Sequence, residues 1–438
     1  MSVVPVRLRA WSQRWRPILP ILVAEFIAVL GFGAVLPVLP LYIVEQRVDP
    51  ATLGIIVAAW PGARLVAEPF FGWLADRTSR RPLMLAGMVV LGVAVILPLL
   101  FRGPVELLLL RLLGGFGAGM YDPAARGYLV DATREGERGQ VFGLYQAAAM
   151  GGLVAGPGLA ALGAQVWSGY AFPFVAGGIA CLAAAVYLAV ALEPRQLRAG
   201  EAAGPARAPI AETSFAEYGT DSSAVAERAG ADLEVRSTTV APLRALLNRW
   251  FLAAVVMNFG LYLAVGVYEV VWSLYMRGLG ASVAWIGVTF VLFGLPILLI
   301  APAAGRLVDR LGGRPFALVA GFSVAAIGYV YTLAREPVFP AALGVVEGAA
   351  HAFLGPAIYA ILALGSPPGR SSTTQGLFGA AGTLAFIIGS LVAGRLLAVD
   401  VHVAFYFFAV ATGAAFALAW LILRGRADPS AVAKAARG

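Results

Sequence analysis

Long apolar runs and short charged connections alternate along the whole chain. Stretches such as 18–44, 83–101, 172–192 and 403–423 approach or pass the ~20 residues a helix needs to cross a bilayer. The period-2 alternation of a membrane barrel is missing. The pattern predicts an all-α integral membrane protein with twelve transmembrane helices. The expected spans in the first half are 18–44, 52–75, 82–101, 104–131, 138–163 and 171–192. Those of the second are 249–276, 283–308, 315–334, 338–365, 372–397 and 402–424.

The pattern is written twice. Adding 233 to a position carries "GWLADRTSRRP" at 72–82 onto "GRLVDRLGGRP" at 305–315. The same offset pairs Tyr42 with Tyr275, Gly54 with Gly287, Pro69 with Pro302, Pro123 with Pro356 and Gly156 with Gly389. Two homologous six-helix bundles follow, and such repeats mark secondary transporters. The expected domains are a first bundle at 1–192, a linker at 193–245, a second bundle at 246–426 and a tail at 427–438. The linker is rich in Ala, Gly, Ser and Glu without an apolar period, which predicts a largely unstructured connection.

Composition agrees: 60% of the residues are hydrophobic and 13% charged, too few charges to cover a water-facing surface. The net charge of +8 does not indicate nucleic acid, because the arginines fall on every second connection. That spacing obeys the positive-inside rule and places both termini in the cytoplasm of a multi-pass protein of the cell (inner) membrane. Cys181 is the only cysteine, so the chain forms no internal disulfide. The first apolar run is too long, and lacks the small-residue site, for a cleavable signal peptide.

The charged loop "GWLADRTSRRPLM" resembles the loop signature of the major facilitator superfamily. "RLLGGFGAG" in span 4 resembles that family's second motif, an arginine followed by spaced glycines. "GGLVAGPGLAAL" in span 5 is similar to the glycine–proline motif of its twelve-helix drug:proton antiporter group. The resemblance covers both halves. It implies a charge relay from the loop to the end of span 4, matching Gly72, Asp76, Arg80 or Arg81, and Asp131. In the second copy Asp309 remains but Arg80 becomes Gly313, which implies a weaker relay. Ser79 departs from the family's glycine, which returns as Gly312. The resemblance further implies that spans 1, 4, 7 and 10 line a central cavity, and that Glu25 and Arg111 belong to the proton-coupling machinery.

Ionisable side chains inside membrane helices are costly unless paired or watered, so each is a candidate site. The first half holds Glu25, Arg64, Glu68, Arg111, Asp122 and Arg126; the second holds Glu269, Glu347 and His351. Few have a charged counterpart at the 233 offset, and Glu25 faces Asn258. Arg64 with Glu68, and Asp122 with Arg126, lie at i,i+4 and can meet on one helix face. The first couple reads as a structural pair. Pro123, after Asp122, frees a backbone carbonyl and kinks span 4. These features make Glu25 and Asp122 the expected proton carriers, with Arg111 and Arg126 tuning them.

Asn258, Tyr262, Glu269, Glu347 and His351 are candidate cavity residues, where a carboxylate among aromatic rings can hold an organic cation. Trp272 and Tyr275 read instead as an aromatic belt at the membrane interface. Glu347 and His351 stand at i,i+4, either as a titrating pair or as a packing hydrogen bond. Gly152, Gly156 and Pro157 form a close-packed, bendable segment of span 5. The expected function is alternating-access export of hydrophobic or cationic small molecules against protons. A lipid or glycolipid translocator and a sugar or metabolite importer remain open on the same scaffold. No motif for metal, nucleotide or nucleophile appears, so no enzyme and no cofactor beyond the coupling proton is expected. The expected partners are the small-molecule substrate and membrane lipids, and the expected state is a monomer.

Overall fold

The computed structural model describes residues 17–133, 138–166, 169–192, 242–367 and 370–424. Most of the expected linker and the expected tail lie outside the described residues. Among those described, all regular structure is helical. The helices are α1 (Leu19–Val35), α2 (Leu39–Glu45), α3 (Pro50–Ala75), α4 (Arg80–Ile96), α5 (Pro104–Ala132), α6 (Arg138–Val166) and α7 (Ala171–Ala191). After a short 3-10 turn at Leu243–Leu246 come α8 (Arg249–Gly278), α9 (Val283–Leu311), α10 (Gly313–Tyr331), α11 (Val338–Leu364), α12 (Ser371–Leu397) and α13 (Val401–Leu423).

The first expected span is broken in two. Helices α1 and α2 meet at an angle of 43°. Pro37 stands in the three-residue break, where it can neither donate a helical hydrogen bond nor fit its ring against the preceding turn. Counting that pair as one, twelve helical rods among the described residues correspond to the twelve expected spans. Ten are apolar enough to cross a membrane by composition alone. The other two, α5 and α6, are 29 residues each and so long enough. Five ionisable residues dilute α5, and glycine, alanine and glutamine dilute α6.

Two compact units are present: Met1–Pro209 with Met276–Val291, and Ile210–Tyr275 with Leu292–Gly438. The end of α8 and the start of α9 therefore group with the first unit, although the expected second bundle begins at 246. Gly287 explains the grouping, since it lies against the carbonyl of Pro157 and the backbone of Ala161 in α6. Within the first unit, α3 packs on α5, α1 on α6 and α7, and α4 on α5 and α7. Its core holds Ile21, Met84, Met88, Leu129, Val141 and Leu188, with Tyr121, Tyr145 and Cys181 buried among them. Within the second unit, α10 packs on α11 and α13.

The repeat extends to individual contacts. Tyr42 donates its hydroxyl to the carbonyl of Pro98, and Tyr275 donates to that of Tyr331. Each of these partners is 233 residues from its counterpart. Gly115 lies against the Trp60 carbonyl and Gly348 against that of Phe293, another pair at the same offset. Gly156 against Leu30 and Gly389 against Leu263 repeat the pattern. A side chain at any of these glycines would collide with backbone, so glycine sets the helix separation. The caps are duplicated too. Asp49 accepts from the Thr52 N–H at 3.0 Å, and Ser282 accepts from the Trp285 N–H at 3.1 Å. The Thr52 hydroxyl and N–H hold the Asp49 carboxyl below its ordinary value, because both favour the charged form.

Candidate functional site

In the first unit the acids sit at helix crossings made close by small residues. Gly152 and Gly156 of α6 face the backbone of α1, and Gly31 of α1 faces Gly177 of α7. Glu25 lies in α1 beside this contact and is only 6% exposed. The hydroxyl of Tyr145, from α6, donates to its carboxylate at 2.8 Å. Tyr121 of α5 brings a second buried hydroxyl into range of the same carboxylate, without a well-formed hydrogen bond. Asp122 and Arg126 of α5 act on Glu25 through space.

Asp122 takes a cross-helix partner. Arg64 of α3 reaches it at 2.5 Å and pairs at the same time with Glu68 one turn further along its own helix. Arg64 thus bridges two carboxylates, one on its own helix and one on α5. The Arg64 guanidinium also stands 5.3 Å from the ring of Trp60, which stacks on Phe32 of α1 at 5.1 Å. Arg111 is half-buried on α5, eleven residues and so about three turns before Asp122, which puts the two on one face.

At the end of this unit that carries the charged loop, Arg80 is the hub. It pairs with Asp131 at the end of α5 and stands 3.6 Å from Asp76. Its guanidinium lies over Gly127, where a Cβ would come within 2.7 Å. Arg81 goes elsewhere, donating to the Ala189 carbonyl of α7 at 2.5 Å. Gly72 packs beside Pro123, a Cβ there meeting the proline at 3.7 Å. In the second copy the counterpart of Arg80 is Gly313, which is buried against the Ala357 carbonyl of α11 and leaves no room for an arginine. Asp131 is matched by Leu364, so Asp309, exposed near the end of α9, stands where the sequence keeps neither of the other two members.

The glycine–proline segment of α6 divides its contacts. Gly152 and Gly156 serve α1, whereas Gly158 faces Val291, in the part of α9 that belongs to the same compact unit.

In the second unit Asn258 is 3% exposed and donates to the Phe378 carbonyl at 2.9 Å. This is the place of Glu25 and Tyr145 in the first half, since Phe378 is Tyr145 plus 233. Tyr262 is half-buried against Gly382, and Glu269 is half-buried on the same helix. Glu347 is 1% exposed and accepts from the hydroxyls of Tyr268 and Tyr331, one on each oxygen, both at 2.7 Å. The His351 ring does not meet the Glu347 side chain; its Nδ1 lies 3.0 Å from the Glu347 main-chain carbonyl oxygen. Trp272 and Tyr275 correct the expectation of an interfacial belt. Both are buried and pack edge-on or tilted against Tyr268, Tyr331 and Phe405. Burial wins because α8, α10 and α13 all present rings at this level.

Four residues escaped the sequence reading: Tyr145, Tyr121, Tyr331 and Gly127. One signal was present. The 233 offset sets tyrosine against phenylalanine at 145 and 378, so a hydroxyl stands only in the half whose span 1 carries an acid.

Comparison with known proteins fits this architecture. The family model described as Major Facilitator Superfamily matches residues 21–274 and 251–438. The quinolone resistance protein NorA of Staphylococcus aureus is 29% identical over 171 residues, 39% of this chain and 44% of NorA. Multidrug resistance protein 2 of Bacillus subtilis is 31% identical over 161 residues, 37% of this chain and 40% of that protein. The alignments thus span less than half the length of each of these relatives. Among solved structures, the nucleoside transporter NupG superposes with a TM-score of 0.70 at 13% identity, covering 93% of this chain and 99% of that one. The human organic anion transporter MFSD10 gives 0.61 at 18% identity, over 94% of this chain and 99% of that one. At such identities the likeness shows the fold. With both halves matched by the family model and the twelve-rod fold shared with these structures, the chain belongs to the Major Facilitator Superfamily.

Proposed function

We propose that this chain exports hydrophobic or cationic small molecules across the cell membrane in exchange for protons, by alternating access, with both termini in the cytoplasm. The observation that carries the reading is Glu25: a carboxylate buried in α1, joined to Tyr145 and within electrostatic reach of Asp122 and Arg126. The names of the NorA and Bacillus relatives, resistance to quinolones and to multiple drugs, support the substrate class. A carboxyl enclosed between helices favours its neutral form, and a nearby arginine favours the charged one. Alternating exposure then lets it take a proton on one side and release it on the other.

Glu25 and Asp122 are the carriers in this reading, and Arg126, Arg111 and the bridging Arg64 promote release. Asp76, Arg80 and Asp131 lock the loop end of the first bundle during one half of the cycle. Tyr262 and Glu269 contribute to substrate binding. No cofactor takes part, and the coupling ion is the proton.

Proteoliposomes with an imposed pH gradient test this, using a lipophilic cation such as tetraphenylphosphonium beside a phospholipid and a sugar. Concentrative transport of the cation is expected, and Glu25→Gln abolishes it while leaving downhill exchange. A Glu25→Gln/Asp122→Asn variant that still concentrates the cation overturns the assignment. Gradient-independent movement of the lipid, or uptake of the sugar, replaces the substrate class.

A further inference from the structure

Among the described residues Glu347 is the most enclosed acid of the second unit, and its surroundings differ in kind from those of Asp122. No ion pair to it occurs among the described residues. Its partners are neutral hydroxyls: Tyr268 from α8 on one oxygen and Tyr331 from α10 on the other. The two tyrosine rings meet edge to face with centroids 6.2 Å apart, and their hydroxyls converge on the two oxygens of one carboxylate, each at 2.7 Å. Carboxylate and hydroxyls therefore form a triangle contributed by α8, α10 and α11.

That triangle can satisfy its hydrogen bonds in two protonation states. Without a proton on Glu347, both hydroxyls donate to the carboxylate, as observed. With one, the acid donates to the Tyr331 oxygen, Tyr331 turns its hydroxyl to Tyr268, and Tyr268 still donates to the free carboxyl oxygen. Three donors then face three acceptors in a closed ring. A buried polar group left unpartnered is strongly disfavoured. An enclosure that partners the group in both states removes that obstacle to proton exchange.

The rest of the enclosure adds no fixed charge. From α13 come Phe405 and Phe408, both buried and both against Tyr268. From α8 come Trp272 and Tyr275, the latter donating to the Tyr331 carbonyl and ringed by His402 at 6.5 Å. Glu269, next to Tyr268 in sequence, is half-buried on that helix. On α11 itself His351 bonds the Glu347 main chain and packs on Phe293 of α9. Between Val283 and Gly305, α9 carries no ionisable residue. The 233 offset puts Gly114, Val35 and Pro98 opposite Glu347, Tyr268 and Tyr331, so the triangle exists in one half alone.

We propose that Glu347, Tyr268 and Tyr331 form a second proton-binding site, wholly within the second bundle and distinct from Glu25. This rests on the proton-coupled reading and deepens it, because transport then draws on an exchangeable proton of the second bundle beside those of the first. The step is a single reversible transfer: hydronium gives H⁺ to a Glu347 oxygen, its own O–H bond breaking to leave water as the carboxyl O–H bond forms, and release to water is the reverse.

Infrared difference spectra of the purified full-length protein, recorded as pH is varied, test the site without substrate. A carboxylic-acid C=O band that titrates is expected to vanish in Glu347→Gln and to persist in Glu25→Gln. Tyr331→Phe preserves the ring packing and removes one member of the triangle, so it is expected to keep the band and move its midpoint. A Glu347→Gln spectrum identical to that of the unaltered protein, or a midpoint unmoved by Tyr331→Phe, overturns the proposal. Both results are independent of transport. Pairing them with tetraphenylphosphonium uptake separates the two claims: a titrating band without gradient-driven uptake sinks the export reading alone.

Discussion

Ser79 and Gly312 occupy one place in the two charged loops and take different backbone paths. Gly312 precedes α10 with φ of 90° and ψ of 150°, a conformation closed to residues with a Cβ. Ser79 precedes α4 at φ of −65° and ψ of 129°, extended backbone that any residue adopts. The departure from the family's glycine is therefore harmless in the first copy. Gly312→Ala is expected to lower stability by about 1–3 kcal/mol, while Ser79→Ala leaves the loop unstrained. Thermal unfolding in detergent compares them, and equal effects would refute the conformational explanation. The same scale shows what sequence spacing reveals. An i,i+4 couple such as Arg64 and Glu68 is legible because helix geometry alone brings it together. The choice of Arg64 by Asp122, or of Asp131 by Arg80 rather than Arg81, depends on the rotation and rise of one helix against another. Hydrophobic periodicity does not encode either.

Helices were legible through their apolar length, and even the two with weak hydropathy were placed by the repeat. The break between α1 and α2 was not read, although its signal, the prolines of "LPVLP", was in the sequence. Proline is tolerated inside α3, α5, α6, α9 and α11 here, so its presence alone does not say which rod will part. Glycine behaves in a comparably divided way. At Gly115 and Gly348 an added side chain meets backbone of the neighbouring helix, and each →Val substitution is expected to cost about 1–3 kcal/mol by overpacking. Gly305, in the interior of α9, has open space where a Cβ would go. There →Ala is expected to stabilise by about 0.5–1 kcal/mol, the difference in helix propensity. Opposite signs in one unfolding series are the check; a common sign would show that helix propensity, not packing, governs these positions.

For the molecule as a whole, the arginine pattern predicts a sidedness, and the chain offers a convenient way to test it. Its single cysteine, Cys181, is 1% exposed inside α7. Thr78→Cys, in the exposed loop after α3, and Val399→Cys, 77% exposed between α12 and α13, can therefore be labelled against a silent background. In intact cells an impermeant maleimide is expected to modify the cysteine at 399, and to reach the one at 78 only after permeabilisation. The reverse result would invert the topology and with it the direction proposed for export. The acids were legible as candidates on the same global grounds, since charge is rare in so apolar a chain. Their hydroxyl partners were not, because a tyrosine in a membrane helix is unremarkable until its neighbour is known.

The glycine-to-carbonyl contacts at Gly115 and Gly348, and at Gly156 and Gly389, recur at one fixed offset, whereas the acids do not. What both copies share belonged to the single ancestral unit before it doubled. The two bundles thus share the way their rods nest and not the way they are charged. A lineage built on such a frame can lose an acid from one bundle, or gain a tyrosine in the other, without renegotiating how its helices touch. Cargo and driving ion become traits that drift on an inherited skeleton.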